Sequence, residues 1–188
     1  MDKLVLDIET SNSFAEVGGR DRLAALKVSL IGAYSYRENR YLAFHEHELA
    51  EFAPFLKRSG LIIGFAINRF DIPVLKKHFP FDISVIPRLD LLDEIEITTG
   101  NRISLNRLAE ANLVSGKTHE SGLDAIQLYR DGDLKELERY CLNDVRITKD
   151  LYELARQQGY LLVPDRNTNE LVRTTLNLRE IELPATLF

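Results

Sequence analysis

Asp7 and Glu9 stand two residues apart in Lys3-Leu-Val-Leu-Asp-Ile-Glu-Thr10, a run that otherwise reads as a buried β-strand. Side chains alternate faces along a strand, so Leu4, Leu6 and Ile8 point one way while Val5, Asp7 and Glu9 point the other. Two carboxylates therefore share one face, roughly 6.5 Å apart along the chain. An unpaired buried carboxylate costs several kcal/mol or takes up a proton, and a second one beside it raises that cost. A divalent cation with a preference for oxygen, Mg²⁺ or Mn²⁺, is the economical compensating charge.

A second carboxylate of this kind lies near the other end of the chain. Residues 133–158 read as one long helix with Asp133 as N-cap, Glu136 at the third position as the other half of a capping box, and Gly159 as the stop. Leu134, Leu137, Tyr140, Cys141, Val145, Thr148, Leu151 and Tyr152 recur at three- and four-residue spacing and define its inward face. Asp144 lies on that face, one turn after Tyr140. A third position, Asp71, falls where a short apolar strand, Leu61 to Phe65, hands over to a helix from Ile72 to Phe79. Taken alone, Asp71 reads equally as an N-cap, and Asp144 as the buried partner of a base such as Arg107.

Asp-Ile-Glu-Thr at 7–10, Gly-Phe-Ala-Ile-Asn-Arg-Phe-Asp-Ile-Pro at 64–73 and Tyr-Cys-Leu-Asn-Asp-Val at 140–145 resemble, in order and spacing, the three sequence blocks of the DEDD superfamily of 3′-to-5′ exonucleases. The Tyr four residues before the last Asp matches the tyrosine subclass; the histidine subclass would need His at 139, which is Arg, so His119 is not recruited as a base. The likeness is nearest to the proofreading domain of family B DNA polymerases and related stand-alone exonucleases, and it spans about residue 3 to about residue 158.

The resemblance implies an α/β, RNase H-like fold with a mixed central sheet flanked by helices. It also implies a two-metal site in which Asp7 bridges the ions, Glu9 and Asp144 complete one shell, and Asp71 serves the other through water. Tyr140 then orients the attacking water by hydrogen bonding, since an ordinary phenol is too weak an acid to serve as a base near neutral pH. The expected substrate is nucleic acid, DNA or RNA, with a free 3′ end, single-stranded in the simplest reading, and the products are nucleoside 5′-monophosphates. Thr10, Phe14, Asn68 and Lys117 are the candidate substrate contacts, Phe14 as a wedge against the terminal base.

Composition bounds this reading. At 188 residues, 45% hydrophobic and 28% charged, the chain fits one globular domain, taken as residues 1–163 with a tail at 164–188 that packs on it or binds a partner. One Cys excludes an internal disulfide and suits a reducing cytoplasm, and the longest apolar run, Leu61 to Ile67, is far short of a membrane span. A net charge of −5 is unusual for a protein that binds phosphates; two divalent cations would bring it to −1. The footprint is then a small one at a strand end, or a partner protein supplies a basic groove.

Around the motifs, Val28 to Tyr36 and Arg40 to His45 read as strands joined at Glu38-Asn39. Glu48 to Arg58, Pro87 to Ile97, Leu105 to Asn112 and Gly122 to Arg130 read as helices, and Ser11 to Asp21 as a long loop. Two other functions use the same carboxylates: a binding or scaffold module that has lost turnover, and a structure-specific endonuclease. Product formation separates the first, and cleavage of circular substrate the second.

Overall fold

The computed structural model describes residues 1–113 and 122–178. Among them, five strands form one sheet in the order β3-β2-β1-β4-β5. Strands β1 (Asp2–Thr10), β2 (Val28–Ser35) and β3 (Arg40–His45) make an antiparallel meander, with Asn39 in the left-handed region (φ 51°) at the tight turn between the last two. Strand β4 (Ser59–Gly64) lies parallel to β1, and β5 (Arg88–Asp90) parallel to β4. Parallel pairing requires a crossover, which the stretch between β3 and β4 supplies.

The period-two pattern of β1 separates two cores. Leu4, Leu6 and Ile8 join Phe44, Phe52, Leu56 and Leu75 on one face. Val5 joins Ile63, Leu89, Ile95, Leu108, Val145, Leu151 and Tyr152 on the other. Each fully buried aliphatic contributes about 1.5–3 kcal/mol, so a one-residue slip of β1 would reverse both sets and is excluded energetically. Asp7 and Glu9 share Val5's face, which is the face covered by the long helix.

That helix, α7 (Leu134–Gln158), starts at the Asp133 cap, whose carboxylate accepts from the Glu136 N–H at 3.3 Å, and ends at Gly159 with φ 81°. The reciprocal half of the expected capping box is absent: the Glu136 carboxylate is held by the Arg139 guanidinium, a stronger charged partner than the N-cap N–H. Among the described residues no helix is long and apolar enough to cross a membrane.

Three local readings are corrected. Residues 87–97 are not one helix: β5 comes first, its three residues too few to show a period, and Asp90 then caps α4 (Leu91–Thr99) by accepting from the N–H groups of Leu92 and Asp93. Residues 48–58 divide into a 3₁₀ turn, Leu49–Phe52, and α2 (Ala53–Lys57), because Pro54 has no N–H with which to continue the first into the second. The loop after β1 contains a one-turn helix, α1 (Phe14–Val17), closed by a complete Ser13/Glu16 capping box, a Ser-x-x-Glu signal visible in the sequence. Beyond α7, β6 (Leu161–Pro164) and β7 (Leu171–Thr174) form a hairpin with its turn built on Asp165, and Leu176 after it is buried in the second core.

Candidate active site

The site lies where β1 and β4 part. Strand β4 pairs with β1 only as far as Val5, ends at Gly64 and turns away. Gly64 is required there, since a Cβ would stand 2.1 Å from Ile67 Cγ2 and 3.1 Å from the Leu6 carbonyl oxygen. Ala66 follows with φ 64°, a conformation Asn or Gly tolerates better than Ala. The turn is held from outside by Asp90, which accepts from the N–H groups of Ala66 (2.8 Å) and Asn68 (3.0 Å). It delivers Asp71 to the first position of α3 (Asp71–Leu75).

Asp71 is not the N-cap. Phe70 occupies that position, and Asp71 Oδ1 accepts from the N–H of Ile8 at 3.0 Å, on the segment of β1 that β4 no longer pairs. The second motif is thereby tied to the backbone between Asp7 and Glu9. From the other side α7 brings Asp144 within electrostatic range of both. Arg107, the base considered for Asp144, donates to Asn169 Oδ1.

The four carboxylates form one repelling group. Burial, then Glu9, Asp71 and Asp144 push Asp7 well above the ordinary carboxylate range, and burial, then Asp144 and Asp71 do the same to Glu9. Burial raises Asp71 to about 7 even though its own N–H and that of Ile8 oppose the shift. The charged neighbours that raise Glu9, Asp144 and Asp71, are both negative. Such a group binds protons more tightly than free carboxylates do unless a cation takes their place. Its donors are hard carboxylate oxygens, which fit Mg²⁺ or Mn²⁺.

Two further residues belong to the site without having been expected there. The Cys141 thiol donates toward Asp7 Oδ2 at 3.5 Å, and the ligand atoms of Asp7, Glu9 and Cys141 all lie within 4.8 Å of one another. Tyr140, beside it, is buried with Leu30, Ala125, Leu137 and Cys141. The second is Phe70, read from the sequence as core. Its ring meets Phe14 edge-on at 5.7 Å, and the two line a cavity of about 410 Å³ with Glu9, Thr10, Arg20 and Ile126. Arg20 stands 5.0 Å from the Phe14 ring centroid, and Arg130 of α6 (Gly122–Asp131) bonds Glu16 at 2.6 Å, tying α6 to α1.

The candidate substrate contacts are placed unevenly. Phe14 and Thr10 line the cavity beside Glu9, the Thr10 hydroxyl donating to the Asn12 carbonyl at 3.0 Å. Asn68 faces elsewhere: its amide donates to Asp93 Oδ2 (2.8 Å) and accepts from Arg88 Nε (2.7 Å). Lys117 lies outside the described residues.

Residues 4–156 match the RNase H superfamily. The chain belongs to that superfamily. Comparison with curated proteins gives no match. Among solved structures, the RNase H superfamily chain is similar over 83% of its length to the family B DNA polymerase from the hyperthermophilic archaeon Pyrobaculum calidifontis, with TM-score 0.63 and 23% identity. It is similar, again over 83%, to E. coli Exonuclease I in complex with a dA16 oligonucleotide, with TM-score 0.54 and 15% identity. It spans 24% of the polymerase chain and 41% of the Exonuclease I chain. At these identities the likeness establishes the fold, which agrees with the mixed five-stranded sheet and flanking helices described above.

Proposed function

We propose that the chain is a divalent-metal-dependent 3′-to-5′ exonuclease of the tyrosine subclass of the DEDD group. One observation carries the reading: three distant segments bring Asp7, Glu9, Asp71 and Asp144 into a single mutually repelling cluster beside an aromatic cavity. Asp7, Glu9, Asp71 and Asp144 would hold the cations. Two bound Mg²⁺ or Mn²⁺ ions supply an acidified water and charge compensation at a departing 3′ oxygen.

The chain's own groups do the rest. Tyr140 orients the water through its hydroxyl. The Phe14 and Phe70 rings receive the terminal base by stacking, a contact open to every base because each has a π-face. Thr10 lines the same cavity next to Glu9 and would contact the substrate there. Nucleoside 5′-monophosphates leave one at a time. Exonuclease I holds a dA16 strand, which supports single-stranded nucleic acid as the substrate class.

The test compares linear and covalently closed circular single-stranded oligonucleotides with Mn²⁺ and with EDTA. Loss of the linear strand alone, abolished by EDTA, supports the reading; cleavage of circles, or equal activity in EDTA, overturns it.

A further inference from the structure

Gly32 is the residue paired with Asp7 across β1 and β2, and α7 passes directly over it. A Cβ at position 32 would meet Cys141 Sγ at 2.6 Å and Val145 Cγ2 at 3.2 Å. The missing side chain is therefore a slot, and the Cys141 sulfur fills it. From there the thiol has two acceptors on one residue, Asp7 Oδ2 at 3.5 Å and the Asp7 carbonyl oxygen at 3.8 Å. Cys141 is fully buried, adjoins Tyr140 and precedes Asp144 by one helical turn. The contact thus joins the Tyr140–Asp144 turn of α7 to β1 at Asp7.

We propose that Cys141 is the positioning residue for Asp7: seated in the slot left by Gly32, its thiol donates to the Asp7 carboxylate and holds it in one orientation for cation binding. The proposal rests on the metal-dependent reading of the site. Groups behind metal-ligating side chains fix their orientation, and removing one commonly weakens metal binding or activity about 10- to 100-fold. A thiol is a weak donor, which places this case at the lower end, about 10-fold. A Cys in a core otherwise behaves as a small apolar residue, a role that Ala fills better than Ser. The two roles therefore order the variants oppositely.

The experiment is calorimetric titration of the full chain with Mn²⁺, with thermal melts and single-turnover kinetics on the same samples. Cys141→Ser keeps a donor and is expected to bind Mn²⁺ within about 3-fold of the native chain, while Cys141→Ala binds about 10-fold more weakly, with KM for the oligonucleotide unchanged in both. Gly32→Ala is expected to lower the melting temperature by pushing α7 outward. In Gly32→Ala/Cys141→Ala the 2.6 Å clash with the sulfur is gone and only the 3.2 Å approach to Val145 Cγ2 remains, so the melt recovers in part while Mn²⁺ affinity stays at the Cys141→Ala level. Native affinity in Cys141→Ala, or a Ser variant as weak as the Ala variant, overturns the proposal. If the native chain binds Mn²⁺ without cleaving, the nuclease reading fails while the binding series still decides the role of Cys141. If it neither binds nor cleaves, both fall.

Discussion

The carboxylate of Asp71 accepts a hydrogen bond from the N–H of Ile8, 63 residues earlier, at 3.0 Å. Ile8 sends its side chain into the core on the face away from Asp7 and Glu9, so its N–H lies in the plane of the sheet, at the point where β4 has ceased to pair with β1. Asp71 replaces the missing strand partner. The divergence of two parallel strands thus creates both the opening for a ligand and the bond that carries a third carboxylate to it.

Burial raises Asp71 to about 7, and Asp7 and Glu9 rise as well, so the folded chain holds protons that the unfolded chain has released. The stability associated with the Asp71 proton is complete below the ordinary carboxylate range, near pH 4, and is lost as pH rises through about 7. Asp71→Asn, whose amide oxygen can still accept from Ile8, is expected to flatten this decline. Urea unfolding in EDTA at pH 5 and pH 7.5 measures it; a native chain that gains stability relative to Asp71→Asn across that interval contradicts the assignment.

Asp7→Ala removes a carboxylate that burial, then Glu9, Asp71 and Asp144, push well above the ordinary range. Without metal, the variant is expected to melt a few degrees higher than the native chain, about 1 kcal/mol being worth roughly 2–4 °C at this size. Turnover is expected to fall by about 10³-fold or more. Scanning calorimetry with and without Mn²⁺, alongside kinetics, would show both, and a variant with native rate removes Asp7 from the metal site.

What the sequence made legible was local. Leu4, Leu6 and Ile8 alternate with Val5, Asp7 and Glu9, and that period alone assigns the two carboxylates to one face. Asp133 and Gly159 delimit α7 because caps act within one turn. The bond from Ile8 to Asp71 and the seat of Cys141 over Gly32 were not legible, because each depends on two segments that meet only in the fold. Strand β5 was hidden by its brevity, and Phe70 by ambiguity, since an aromatic beside a buried strand reads as core until a partner such as Phe14 is seen across a cavity.

Tyr140 separates the tyrosine-subclass reading from a generic carboxylate nuclease. Its ring packs with Leu30, Leu137 and Cys141, and Tyr140→Phe keeps that packing while removing the hydroxyl. We expect kcat to fall about 10- to 10³-fold with KM and Mn²⁺ affinity nearly unchanged. Unchanged single-turnover rates would reduce Tyr140 to a core aromatic.

Phe14 is half-buried at the cavity, so Phe14→Ala is expected to leave the fold intact. Stacking of a base on an aromatic ring is worth about 1–3 kcal/mol, which translates into a KM increase of roughly 5- to 150-fold with a smaller change in kcat. Phe70→Ala is expected to act in the same direction. Native KM values in both variants would show that the terminal base binds elsewhere.

The direction of attack tests the central claim most directly. A single-stranded oligonucleotide labelled at its 5′ end is followed in parallel with the same strand labelled at its 3′ end, in Mn²⁺, Mg²⁺ and EDTA. The account predicts a ladder shortening one nucleotide at a time from the 5′-labelled strand and immediate release of labelled 5′-monophosphate from the 3′-labelled strand. Mn²⁺ is expected to be at least as effective as Mg²⁺, because it tolerates imperfect octahedral geometry, and EDTA to abolish both signals. Early release of label from the 5′ end, or internal fragments in the first time points, would contradict it.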